Sequence, residues 1–214
     1  MIENKLISLS SNAAGFSVIE SQNLRLFLLN VVCSEIKLKT NTSEINEKNI
    51  EKIINKNFNF FKNKNNRMLT RENTEILIEF LCRDNRFAYT KDDFISDEEN
   101  IGYPNVYWRC VRAGSPTDVG SVHADEWFWA LGHGTIPSGY TRVKTWIPII
   151  QGEQCGLTIL PGSHKKDFDY SFFLGKDGKK RPQFDNAEAL QGMRSAGVCV
   201  GNAIIFNDRL LHGG

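Results

Sequence analysis

The chain has 214 residues, 41% of them hydrophobic, which is enough to bury one good core, so a single domain spanning 1–214 is expected. Its 26 Lys and Arg against 25 Asp and Glu leave a formal charge of +1, which offers no electrostatic basis for a nucleic-acid partner or an anionic membrane surface. No apolar run approaches the roughly 18 residues of a membrane span, and the N-terminus lacks the basic-then-apolar layout of a signal peptide.

Composition changes near residue 100, and the text before it is rich in Lys, Asn and Ile. Residues 1–100 read as a mostly helical support region. Leu24, Phe27, Leu28, Val31 and Val32 recur at helical spacing and predict one helix. A second short helix is expected over 45–54, with Asn-rich loops on both sides. Glu44, Glu47 and Glu51 alternate with the lysines here, so the stretch reads as a solvated helix face and not as a nucleic-acid surface. Ile76, Leu77, Phe80 and Leu81 form a further apolar stripe, and Thr70 is placed to cap that helix.

From Asn105 the period shortens and Gly and Pro punctuate the text. Strands are expected over 106–111, 142–149, 156–160 and 198–206. Helices followed by many short strands predict a mainly-β, α+β architecture, a sandwich or open barrel over 103–214 with the helices packed on one outer face. The segment 167–192 reads as a lid or pocket wall. Cys33, Cys82, Cys110, Cys155 and Cys199 are odd in number and never form a Cys-x-x-Cys pair. They read as reduced thiols of a soluble cytoplasmic protein, not as a disulfide frame or zinc site.

All four histidines lie in the second half, and two of them keep informative company. His123 and Asp125 stand in Ser-Val-His-Ala-Asp-Glu-Trp, and His212 in Arg-Leu-Leu-His-Gly-Gly. On an extended strand residues i and i+2 share a side, so His123 and Asp125 can grip one ion. Two imidazoles and a carboxylate on one face of a metal leave the opposite positions open, a pattern suited to non-haem Fe(II) oxygenases. His-x-Asp alone is weak. Here it is followed by Arg142-Val-Lys-Thr-Trp-Ile-Pro, then Cys155-Gly-Leu-Thr-Ile-Leu-Pro-Gly-Ser-His-Lys, then Gly201-Asn-Ala-Ile-Ile-Phe and His212.

In this order and wording the chain resembles the phytanoyl-CoA dioxygenase-like family of Fe(II)/2-oxoglutarate oxygenases over roughly 103–214. The resemblance implies a double-stranded β-helix (jelly-roll, cupin-like) with His123, Asp125 and His212 as iron ligands. It also implies Fe(II), 2-oxoglutarate as cosubstrate and O2, with oxidative decarboxylation to succinate driving hydroxylation of a small molecule. Related halogenases carry a small residue where Asp125 stands, so the carboxylate favours a hydroxylase. In the family an arginine roughly ten residues past the distal histidine forks onto the far carboxylate of 2-oxoglutarate. The sequence ends two residues after His212, so that arginine and the last strand are expected to be missing, as from an incomplete gene product. The alternative is that Arg142 or Lys144 takes over the anchoring. On the first expectation the chain binds metal but holds 2-oxoglutarate poorly.

Strand parity sets Arg142, Lys144 and Trp146 on one face and Val143, Thr145, Ile147 and Ile149 on the other. The first set is expected to line the cosubstrate side, where two cations call for an anion. The bland alternative is an edge strand with its cations in solvent. Arg109 and Arg112 fall on opposite faces, and Arg112 is taken as the inward one. Trp127, Phe128 and Trp129 read as packing that anchors a loop, or else one of them walls the substrate pocket, with Trp127 and Trp129 the candidates. His133 is a candidate substrate contact, or an exposed loop residue. His164 reads as a turn histidine that meets backbone groups. The basic residues near the expected mouth (Arg142, Lys144, Lys165, Lys166, Lys179, Lys180 and Arg181) suit an anionic small-molecule substrate, or else form a solvated loop. Two rival functions share the same ligands: a non-catalytic metal- or ligand-binding module, and a zinc-dependent hydrolase or isomerase.

Overall fold

The computed structural model of the chain describes residues 5–87, 89–94, 101–112, 115, 118, 120–134, 138, 140–150, 156–175 and 177–213. In chain order its elements are α1 (Lys5–Ser10), β1 (Phe16–Glu20), α2 (Gln22–Thr40), α3 (Ile50–Lys56), α4 (Phe58–Phe61) and α5 (Arg71–Arg83). They continue with α6 (Asp125–Ala130), β2 (Val143–Trp146), β3 (Thr158–Ile159), β4 (Ser171–Leu174) and β5 (Lys180–Gln183). The last are α7 (Ala187–Gln191), β6 (Arg194–Ser195), β7 (Asn202–Asn207) and β8 (His212–Gly213). Two compact units result: Ser21–Cys110, and Met1–Glu20 together with Val111–Gly214.

The unit Ser21–Cys110 is helical. α2 buries Leu24, Leu28, Val31, Val32 and Ile36 and stops where Asn41 takes the left-handed conformation that ends many helices. Thr70 caps α5 as its position predicts, its hydroxyl accepting the Asn73 N–H. The buried stripe of α5 is Thr74, Leu77, Ile78 and Leu81, whereas Ile76 is exposed, a correction to the predicted face. The reason is periodic: positions 74, 77, 78 and 81 form the i, i+3, i+4, i+7 stripe and Ile76 falls outside it, while half-buried Phe80 stacks on Phe27 at the flank with ring centres 4.2 Å apart. The helix expected over 45–54 lies at Ile50–Lys56. The strand expected over 106–111 is only one bridge, Tyr107 to Met68. Its partner backbone follows a single 3-10 turn at Lys64–Arg67 and is too short to build a ladder.

The unit containing Val111–Gly214 is β-rich and antiparallel. One sheet has the order β1-β7-β2, the other β6-β3-β8, and β4 and β5 form a separate ribbon. Ile204 and Phe206 of the first sheet meet Ile159 of the second in a core shared with Leu157, Ala196, Val198 and Leu210. α1 packs on the first sheet, mostly against β7. β1 is a strand the sequence reading did not anticipate. The strand expected over 198–206 starts only at Asn202, because Gly201 at φ +99° completes a turn in which the Asn202 N–H bonds to Cys199. The segment expected to be a lid holds the β4–β5 ribbon and α7 and contributes buried Pro182, Phe184 and Ala189. Mixed helices and antiparallel sheets are thus present. Among the described residues the sheets do not close into a barrel.

Candidate metal centre

The site is built where three chain segments meet. β8 pairs with β3 on one side, Ile159 opposite His212. On its other side His212 forms an antiparallel bridge with His123, exchanging N–H···O bonds of 2.9 and 3.0 Å. Residues directly opposed in an antiparallel pair project to the same side. The two imidazoles therefore stand together, ring centres 4.5 Å apart.

The third group arrives differently from the sequence expectation. Residues 123–125 are not one strand: Ala124 is extended (φ −101°, ψ 140°) and Asp125 already opens helix α6. The chain turns immediately after His123, and that turn swings the carboxylate between the rings. Asp125 Oδ1 lies 3.7 Å from His123 Nε2, and Oδ2 lies 3.8 Å from His212 Nε2. Asp125 and Glu126 also suit the positive end of a helix. The start of α6 is pinned by the Glu126 N–H bonding to the Asp208 carbonyl at 3.1 Å. Trp127 anchors the other side, stacked on Tyr170 at 4.5 Å in a cluster with Phe184, Ala124 and Leu211.

Proton positions follow from the partners. His123 Nδ1 lies 2.7 Å from the Ser121 carbonyl and His212 Nδ1 lies 2.9 Å from the Leu210 carbonyl. A carbonyl only accepts, so each Nδ1 must carry a proton. In the neutral ring that leaves the Nε2 lone pair bare and aimed at Asp125, the outer-sphere arrangement metal-binding imidazoles use. Burial pushes His212 down to about 4, against the pull of Asp125 and assisted by His123, so the ring is neutral near pH 7. For Asp125 burial opposes ionisation, but the Lys144 ammonium and both imidazoles outweigh it and hold the carboxyl well below its usual range. Asp125 Oδ2 accepts no hydrogen bond, although Lys144 Nζ stands 3.2 Å away. One anionic oxygen and two bare nitrogens, all within 4.8 Å of one another, make a donor set that fits a divalent transition metal.

The neighbours of the triad form its walls. Phe206 meets His212 edge-on at 4.9 Å and Phe128 meets His123 at 5.1 Å. β2 pairs with β7 so that Lys144 stands opposite Phe206 and Trp146 opposite Ile204. Lys144 therefore shares the triad's side of the sheet, while Trp146 packs into the core beside Ile204 and Phe206. The Arg142 guanidinium lies 3.2 Å over the Trp129 ring. Gly134 runs against the same ring, where a Cβ would come within 2.0 Å of Cζ3.

Other residues singled out in the sequence lie elsewhere. Arg112 is forked onto Asp118, with bonds of 2.7 and 2.9 Å, and drives that carboxyl down to about 2. His133 bonds through Nε2 to the Lys180 carbonyl and sets its ring edge-on to Phe128 at 5.2 Å. His164 is buried with its ring on Gly15, where any side chain would collide with Nδ1 at 2.3 Å. Phe128, one of the three aromatics singled out after Asp125, lies between His123 and His133. Asp208 escaped the sequence reading: burial raises its carboxyl to about 6, Arg142 opposes the rise, and Glu126 and Asp125 add to it. No local pattern marks it.

One comparison with known proteins is positive. The family model described as phytanoyl-CoA dioxygenase (PhyH) matches residues 14–214. No curated protein and no solved structure matches the chain.

Proposed function

From its membership of the phytanoyl-CoA dioxygenase family, to which this chain belongs, we propose that the protein is an Fe(II)/2-oxoglutarate-dependent dioxygenase that hydroxylates a small molecule. Family membership carries the coarser part, an oxygenase-type enzyme with a cupin-like fold. The finer part rests on one observation: His123 and His212, each with Nδ1 tied to a backbone carbonyl, turn bare Nε2 atoms onto the Asp125 carboxylate. These three residues would hold the iron. Bound Fe(II) with 2-oxoglutarate and O2 supplies the oxidising power for hydroxylation.

The remaining roles are assigned to side chains near the triad. Lys144 and Arg142 are the cations available to the carboxylates of 2-oxoglutarate, with Trp146 beside them. Lys144 is the stronger candidate, since it already faces an anionic oxygen of the site. Arg112 has its fork filled by Asp118 and is the weaker one. Trp129 and His133 remain candidates for the substrate side, whereas the stacking of Trp127 on Tyr170 favours a packing role. The two packed sheets are read as halves of a double-stranded β-helix. Residues 1–214 are read as one oxygenase domain, because the family match runs through both compact units.

The test is anaerobic loading with Fe(II), then 2-oxoglutarate and air. Succinate should form, a chelator should stop it, and His123→Ala should abolish it. Iron bound at the triad without succinate would select the non-catalytic binding module. Tight zinc binding with hydrolytic turnover would select the third reading.

A further inference from the structure

We propose that the β4–β5 ribbon is a wedge that docks the protein on an anionic lipid surface. The ribbon is short: Ser171–Leu174 pairs with Lys180–Gln183, in the register Phe172 to Pro182, Phe173 to Arg181 and Leu174 to Lys180. Opposed residues share a face, so Phe172, Leu174, Lys180 and the buried Pro182 at the ribbon's base point one way and Phe173 and Arg181 the other. Phe172, Phe173 and Leu174 are 51, 47 and 67% exposed. Three consecutive large apolar side chains in solvent, split between the two faces of one ribbon, call for an explanation that scattered surface hydrophobes do not.

Shape and charge choose the occupant. A flat partner, including a second copy of this chain, covers one face of a ribbon and leaves the other wet. A fluid lipid interface surrounds both. The cations are also two-sided. Lys180 lies 4.6 Å over the Phe172 ring on the first face, and Arg181 occupies the second, with Lys179 at the turn. Asp177 is the one acid at the described part of the turn, and it is paired with Arg181 at 2.9 Å. Apolar side chains flanked by ammonium and guanidinium groups match the acyl boundary and phosphate level of an anionic leaflet. The charge balance of the whole chain, which by itself gives no reason for such a partner, conceals this local run.

The ribbon is held in place for the task. Gly175 and Gly178 build the turn, Gly178 at φ +74°, and a side chain at Gly175 would strike Arg181 Nε at 2.5 Å. Behind it, Pro182 and Phe184 are buried, the latter against Trp127. The Lys180 carbonyl takes the bond from His133. The wedge therefore projects from a fixed base on α6.

Vesicle flotation of the full chain tests the proposal, with phosphatidylcholine alone and with phosphatidylglycerol added. The expected result is flotation with the anionic vesicles, salt-sensitive, and little with the zwitterionic ones. Lys179→Glu with Lys180→Glu should weaken it by more than about tenfold, at about fivefold per lost cation. Phe173→Asp with Leu174→Asp should abolish it while the melting temperature stays at the wild-type value, since these side chains support no core. No flotation at low salt overturns the proposal, as does flotation that survives the Phe173/Leu174 variant. Concentration-dependent dimerisation that the same variant removes also overturns it and assigns the ribbon to a second copy.

Discussion

Two carboxylates, one in each compact unit, show how differently a fold can treat the same chemical group. Glu35 in the helical unit is fully enclosed, and everything around it donates. Its Oε1 accepts from the Thr70 N–H at 2.7 Å, the Thr70 hydroxyl at 2.7 Å and Asn73 Nδ2 at 2.6 Å, while Oε2 faces Lys39 Nζ at 2.9 Å. Burial opposes its charge, yet these donors hold its pKa below the usual value. It joins α2 to the cap of α5; its Oε2, like Asp125 Oδ2, accepts no hydrogen bond beside its lysine, but the other groups around the carboxylate are an N–H, a hydroxyl and an amide that all donate to it. Asp125 in the β-rich unit is half-buried and also held in its ionised form, but two of its three neighbours are imidazoles whose Nδ1 atoms are already committed to backbone carbonyls. A charge ringed by donors is architecture. A charge set among imidazoles is a site that fits a cation.

Removing the anion at Asp125 has the largest expected effect. Asp125→Asn keeps the shape and removes the anion, so turnover should vanish and metal affinity should fall by more than about 100-fold, beyond the loss of an outer partner alone. Its stability should separate from its function. At 100 times the Kd of the wild type, Mn(II) should add about 2.7 kcal/mol, or roughly 5–10 °C in a domain of this size, by thermal denaturation without O2. The variant should show no such shift. A metal-induced shift retained in Asp125→Asn would place the ion elsewhere.

Glu35 should answer in the opposite way. Glu35→Gln leaves Lys39 without its counter-charge and turns one acceptor into a donor among donors. A loss of about 2–4 kcal/mol is expected in urea unfolding, with Mn(II) affinity unchanged. If metal binding fell with stability, the division between the two carboxylates would not hold.

How much of this the sequence makes legible depends on the reach of each interaction. The metal candidates are legible because His-x-Asp and the distal histidine sit in a run of distinctive motifs. The shared face of Lys144 and Trp146 follows from strand parity alone. The Thr70 cap is legible because capping is local. What is not legible depends on distant partners. Trp-Phe-Trp after Asp125 reads as well for a strand as for a helix, and only the Asp208 carbonyl and the Tyr170 and Phe184 rings decide for α6. The stacking partner of Phe80 is Phe27, fifty-three positions earlier, and no local pattern names it. The bond of Arg112 to Asp118 spans six residues, and no periodicity in the sequence marks it.

Asp208 lies between the two extremes and gives the smallest of these effects. It is 7% exposed and its backbone, not its carboxylate, holds α6. Burial and two nearby acids raise its folded pKa to about 6, above the value near 4 of an unfolded Asp. Between those values the folded state binds the extra proton, so stability falls as pH rises from about 4 to about 6, and the penalty is complete above that window. Asp208→Asn keeps the neutral form at every pH. The metal-free variant should therefore be more stable than the wild type by about 1–2 kcal/mol at pH 7, and the gain should disappear below pH 4. Asp125, held low by its neighbours, follows the opposite sign: its contribution is present above the unfolded pKa and lost only as pH falls. A gain for Asp208→Asn that stays flat from pH 4 to 8 would show that packing, not a raised carboxyl, sets the difference.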